Sequence, residues 1–233
     1  MTNSKIEPFD WDCVDLVTFD VDGTLYSQSA LRCRMLLELA PHLLYTRNFR
    51  TLSIIRSYRR LRERFGDEEV SDFEPKLVSE VASSVGCSQS SVEAVVAEWI
   101  EQRPLRHLAG CRYPGLGELF VALRRSGKII GILSDYPAHR KLQALGLDAD
   151  AIVCAGDEGV GRLKPHPHGF KTLIGRMGVS AARAVLIGDR IDRDGLVARR
   201  IGAKCLIRSR RPEVGWATFR RYDEQLFAPI LKA

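Results

Sequence analysis

The chain has 233 residues, enough for one large α/β domain or for a core with a smaller insert. Its 45% hydrophobic and 27% charged residues are those of an ordinary globular protein, which excludes global disorder. The formal net charge of +6 is unevenly spread: seven arginines (Arg47, Arg50, Arg56, Arg59, Arg60, Arg62, Arg64) face one acid, Glu63, between Leu44 and Phe65. A second basic stretch runs from Arg199 to Arg221. Such clusters attract phosphorylated metabolites, nucleic acid or acidic lipid, but the simpler reading of the first is a solvated helix face.

No basic flank followed by an apolar run opens the chain, and no uncharged apolar stretch approaches the ~18 residues of a membrane span. A cytoplasmic protein without a membrane span is therefore expected. The six cysteines show no CxxC and no histidine at zinc spacing, which fits structural thiols.

The first strand is expected from Val14 to Phe19. Further apolar runs of strand length follow at Ile129 to Leu133, Ala151 to Cys154, Ala184 to Ile187 and Cys205 to Ile207, each suited to a strand buried on both faces of a parallel sheet. Between them, Leu116, Leu119, Phe120 and Leu123 form one helical stripe closed by Gly127. Phe170, Leu173, Ile174 and Met177 form another closed by Gly178. This alternation predicts an α/β fold with a doubly wound, Rossmann-like parallel sheet. Residues 28–110 break the rhythm. They read as helices throughout, with one stripe at Leu52, Ile55, Tyr58, Leu61 and Phe65 and another at Val92, Val95, Val96, Trp99 and Ile100. A capping box at Ser90 to Glu93 is expected to start the second. The predicted organisation is a core of residues 1–27 and 111–233 with a small all-helical domain, 28–110, inserted after the first strand. The tail aromatics Trp216, Phe219, Tyr222 and Phe227 are expected to cover the core.

Asp20 and Asp22 follow the first strand on the same side of the chain, and Gly23 lets the backbone turn. Alone, such a pair reads as a metal site, an acid/base pair or a surface turn. The other strand ends decide between these. Ser134 ends the second strand, Asp189 follows the fourth, and Lys164-Pro165 precedes the helix carrying Phe170. In a parallel sheet these ends border one crevice. Oxygen donors from Asp20, Asp22 and Asp189 form a hard cage suited to Mg²⁺. Lys164 adds positive charge, and Ser134 with the Thr24 hydroxyl and amide can hold phosphate oxygens. Asp20 can then attack phosphorus while Asp22 serves as acid and base.

The segments Asp20-Val21-Asp22-Gly23-Thr24, Ser134, Lys164-Pro165, and Gly188-Asp189 with Asp194, in this order and spacing, resemble the four motifs of the haloacid dehalogenase superfamily. The helical insert resembles its first-type cap, and Gly159 to Phe170 is similar to the lysine loop of phosphoglycolate-phosphatase-like members. The resemblance implies a Mg²⁺-dependent phosphatase acting on a small phosphorylated metabolite through an aspartyl phosphate. It assigns Asp20 as nucleophile and Asp22 as acid/base, with Asp20, Asp189 and the Asp22 carbonyl holding Mg²⁺. Thr24, Ser134 and Lys164 would serve the phosphate, and Asp194 would orient Lys164 or a metal-bound water. The presence of Asp22 argues against a true dehalogenase. Two positions depart from the pattern: Asp135 and Arg193 stand where relatives often carry asparagine.

His166 and His168 read as loop residues, since an isolated HxH is weak evidence for a metal. A nucleoside monophosphate phosphatase, a phosphomutase and a non-catalytic protein binding an anion or nucleic acid are the alternatives. Nucleic acid is not favoured. If the arginine-rich helix serves a substrate, some of Arg47, Arg50, Arg56 and Arg59 are expected at the crevice.

Overall fold

In the computed structural model, which describes residues 9–232, β1 (Leu16–Phe19) lies at the centre of a six-stranded sheet. The other strands are β2 (Ile129–Ser134), β3 (Ala151–Cys154), β4 (Ala184–Gly188), β5 (Lys204–Arg208) and β6 (Ala217–Phe219). Their order is β3-β2-β1-β4-β5-β6 and every pairing is parallel. This is the expected α/β, Rossmann-like fold. β1 and β4 are buried at every residue, which explains their largely apolar sequences, with Thr18 the one polar residue among them. Val17 and Phe19 pack on one side with Phe120 and Leu123 of α6 (Leu116–Arg125). Leu16 packs on the other with Phe170 and Leu173 of α8 (His168–Met177).

β1 starts two residues later than expected, because Val14 is held in a turn by its amide bond to the Trp11 carbonyl. β6 was not expected. It is three residues long, and its side chains continue into a cluster of Phe219, Tyr222 and Phe227 with ring centroids 4.9–5.7 Å apart. The tail aromatics thus cover the core, as read from the sequence.

Between β1 and β2 the chain is helical: α1 (Gln28–Thr46), α2 (Arg50–Asp67), α3 (Phe73–Val85), α4 (Gln89–Val96) and α5 (Leu105–Leu108), with a π-helical turn at Ala97–Gln102. Tyr58, Leu61 and Phe65 of α2 join Phe73, Leu77 and Val92 in a separate apolar cluster. The cap of α4 lies two residues earlier than the sequence suggested. Ser88, not Ser90, accepts from the Ser91 amide at 3.2 Å, because the helix already begins at Gln89. Beyond the insert, α7 (His139–Leu145) follows β2, α9 (Leu196–Ile201) follows β4, and α10 (Ala228–Leu231) ends the described chain. No described helix is long and apolar enough to cross a membrane.

Candidate active site

Register brings the acids together. Phe19 pairs with Ile132 on β2 and Ile187 on β4, so Asp20, Ser134 and Asp189 leave the sheet at the same end. The Asp20 amide extends the ladder by one bond to the Ile187 carbonyl, 2.9 Å. Gly23 then turns the chain at φ +104°, where any Cβ would strike the Asp189 carboxylate. Thr24 donates its hydroxyl to Asp20 Oδ2 at 2.9 Å, and the buried Tyr222 hydroxyl donates to the Thr24 carbonyl at 2.7 Å.

Lys164 Nζ sits 2.6 Å from Asp20 Oδ1 and 2.6 Å from Asp194 Oδ1, all three side chains buried. Carboxylate oxygens of Asp20, Asp189 and Asp194 lie within 4.8 Å of one another. Burial raises the Asp20 carboxyl to about 6 although Lys164 opposes it, with Asp194 and Asp22 adding repulsion. Burial, then the charges of Asp20 and Asp194, push Asp189 up to about 8. The Lys164 ammonium is held well above its ordinary value: burial disfavours it, but Asp194, Asp20 and Asp135 outweigh that. Three carboxylates around one buried ammonium leave a deficit of positive charge. An oxygen-only donor set with that deficit fits a hard divalent cation.

Asp22 faces elsewhere. Burial works to raise its carboxyl, yet Lys141 lowers it by charge and hydrogen bonds, with Nζ 2.7 Å from each oxygen, and the Tyr26 hydroxyl adds a short hydrogen bond. The Asp22 carbonyl accepts Gln28 Nε2 at 2.9 Å. Ser134 is buried and its Oγ accepts the Tyr136 amide at 3.2 Å; its own proton meets no acceptor among the described residues. Asp135 Oδ1 accepts the Lys164 amide at 2.9 Å. Its charge is thereby used to fix the lysine loop.

Arg193, the second departure, is buried and joins three segments. Nη1 donates to the Lys164 carbonyl at 2.9 Å, and Nη2 donates to the Glu63 carbonyl at 3.0 Å and lies 2.7 Å from Asp67 Oδ1. It approaches α2 at Gly66, where a Cβ would lie 2.5 Å from Nη1 and 2.9 Å from the Lys164 carbonyl.

The solvated-face reading of the arginine cluster fails for Arg62. It is buried, its guanidinium 4.2 Å from the Tyr136 ring centroid and 4.8 Å from that of Phe73, and it bonds the Asp135 carbonyl. Of the four arginines expected at the crevice only Arg59 lines it; Arg60 joins it, and Arg47, Arg50 and Arg56 do not. The crevice is a chamber of about 550 Å³ between the insert and the sheet end, and Asp22 is the one acid of the motif cluster on its wall. His166 and His168 stitch their loop, with His168 Nε2 2.8 Å from the Gly159 carbonyl, and the six cysteines are unbridged.

Lys141 and Tyr26 escaped the sequence reading, and Tyr222 was read only as a core aromatic. Lys141 carried no motif signal; only its place in the first turn of α7, seven residues past Ser134, aims it at the sheet end. Tyr26 stands four residues after Asp22 in the same tight turn, a spacing that could have been noticed.

Residues 14–202 match the family model described as haloacid dehalogenase-like hydrolase. A glyceraldehyde 3-phosphate phosphatase of Pyrococcus abyssi is 32% identical over 96 residues, which is 39% of this chain and 40% of that protein. A phosphoglycolate phosphatase of Rhodospirillum rubrum is 29% identical over 104 residues, 43% of each. The chain thus spans about two fifths of the length of these curated relatives. Among solved structures, a magnesium-bound HAD-hydrolase of Bacillus subtilis superposes with TM-score 0.67 at 18% identity, covering 93% of this chain and 98% of its own. A HAD phosphatase of Thermococcus onnurineus gives 0.58 at 22% identity, covering 90% and 94%. At these identities the likeness is one of fold.

Proposed function

Because this chain belongs to the haloacid dehalogenase-like hydrolases, we propose that it is a Mg²⁺-dependent phosphatase that hydrolyses a small phosphate monoester through an aspartyl phosphate on Asp20. The observation that carries the reading is the buried Asp20–Lys164–Asp194 chain beside Asp189, with Asp22 two residues on and facing the chamber. The helical insert serves as the cap over this site. The phosphatases among its partial relatives support the reaction class.

The residues present fit the metal. Asp20, Asp189 and the Asp22 carbonyl would hold it, and the raised Asp189 carboxyl marks a site short of positive charge. Bound there, Mg²⁺ supplies the charge that lets a carboxylate approach a phosphate dianion. Asp20 attacks phosphorus, its carboxylate oriented through Oδ2 by Thr24 and Oδ1 by Lys164. Ser134, with its uncommitted proton, and the Thr24 amide hold the transferred oxygens. Lys164 balances their charge, and Asp194, with Asp135 on its amide, keeps Lys164 in place. Asp22 gives a proton to the leaving oxygen and then takes one from the attacking water. Lys141 and Tyr26 aim that carboxylate and favour the charged form that takes the water's proton in the second step; for the first step Asp22 takes up a proton from solvent before the leaving oxygen departs.

The test is trapping. Asp20→Asn should lose turnover of an aryl phosphate while keeping the fold. Asp22→Asn should accumulate phosphoenzyme, since an aryl oxide leaves unaided but hydrolysis still wants a base worth about 10²–10⁴-fold. A phosphoryl group mapped to any residue but Asp20, or full activity in excess chelator, would overturn the mechanism.

A further inference from the structure

The chamber has a mixed lining. Asp22, Tyr26 and Lys141 are the polar groups that meet the reacting oxygen. Its wall is apolar, formed by Leu39, Ile55 and Trp99, three side chains that also pack together in a small cluster with Leu43. Its lining also includes Arg59 and Arg60, and neither has a carboxylate within ion-pair distance among the described residues. Glu63, which also lines the chamber, is taken by Arg190 at 2.9 Å and Arg193 at 3.1 Å. Two unpaired guanidinium groups beside a chamber are a receptor for an anion.

Size adds a second constraint. About 550 Å³ is in the range of clefts that take ligands much larger than a two-carbon acid. The acids that would bind phosphate, Asp20 and Asp189, lie outside its lining, so this volume is room for the leaving group alone. A two- or three-carbon fragment would leave most of it filled with water against apolar walls. Leu39, Ile55 and Trp99 offer no polar partner, so the part of the leaving group that meets them is apolar.

We propose that the substrate is a phosphate monoester of a bulky, largely apolar alcohol carrying a second anionic group, which Arg59 and Arg60 receive. The proposal rests on the phosphatase reading and narrows its substrate class away from short esters such as phosphoglycolate.

The experiment is a homologous series of ω-carboxyalkyl phosphates from two to ten carbons, beside methyl-terminated esters of equal length and phenyl phosphate. With Mg²⁺ present, kcat/KM should climb by up to about fourfold per added methylene until the chamber is full. Carboxylates of middle length should exceed their methyl counterparts about tenfold, and Arg59→Gln with Arg60→Gln should erase that difference. Ile55→Trp, which fills the wall, should invert the chain-length order. Highest kcat/KM on the two-carbon ester, or no advantage of the carboxylate at any length, would overturn the proposal. If no ester in the series releases phosphate, the phosphatase reading is what has failed. Binding separates the two: in Asp20→Asn, a middle-length carboxyalkyl phosphate should quench Trp99 fluorescence, and Trp99→Phe should remove the signal. Absence of quenching at millimolar ester overturns the chamber assignment whatever the turnover.

Discussion

Replacing Lys141 by methionine keeps the length and apolar stem of the side chain and removes only its charge. The ammonium it removes lies 2.7 Å from both Asp22 oxygens, with the two side chains 9% and 18% exposed. Breaking a buried pair by deleting one partner costs about 3–5 kcal/mol, and the hydrogen bond retained from Tyr26 places this case near the lower end, about 3 kcal/mol. With a urea slope of ~3 kcal/mol/M for a chain of this size, the midpoint should fall by about 1 M at pH 7 in EDTA. The sign of the pH dependence follows from Asp22. In the wild type its carboxyl lies below the ordinary 3.8, so its stabilisation is complete above that value and lost as pH falls through the depressed one. In the variant, burial without Lys141 raises the carboxyl above 3.8, so the ionised group destabilises the fold until acid neutralises it. The gap between the two proteins should therefore be widest near neutrality and narrow toward about pH 4. A midpoint change under about 0.3 M, or a gap that widens in acid, would refute the claim that Lys141 holds a buried charge in place.

Tyr222→Phe should cost about 1–3 kcal/mol by leaving the Thr24 carbonyl without its buried donor, read by the same denaturation; an unchanged midpoint would mean water replaces the hydroxyl. Without metal, the raised carboxyls of Asp20 and Asp189 should make stability decline as pH rises from about 4 toward 8, by up to about 1.4 kcal/mol per pH unit for each proton lost. Mg²⁺ should consequently raise the melting temperature more at pH 8 than at pH 5, and the opposite order would contradict the placement of the cation among these acids.

The sheet was legible because strands buried on both faces have to be written as largely apolar runs, and β1, β2 and β4 are, with only Thr18 and the terminal Ser134 polar. The acids were legible for the same reason, as each stands where such a run stops. β6 was not, since three residues that pair only at the sheet edge carry no periodicity to detect. Lys141 and Arg193 were opaque because their roles depend on what another element brings to meet them. A lysine in a short helix and an arginine after a strand are ordinary surface residues until Asp22 or α2 is in position. Arg62 misled outright: six neighbours in its charge cluster are exposed, and its burial is set by the aromatic rings of Tyr58, Phe73 and Tyr136 rather than by its own surroundings in sequence.

Arg193 gives the insert and the core a shared part. The same guanidinium fixes the carbonyl of Lys164 and the last turns of α2, and it fits only because residue 66 has no side chain. Glu63, Gly66 and Asp67 therefore behave as one half of a matched key whose other half is a core residue. Caps grafted onto this core from a relative would have to carry all three. A graft lacking them would be severed from the lysine loop even if its own helices folded perfectly, and exchange of caps between such enzymes is constrained by this seam as much as by the chamber it encloses.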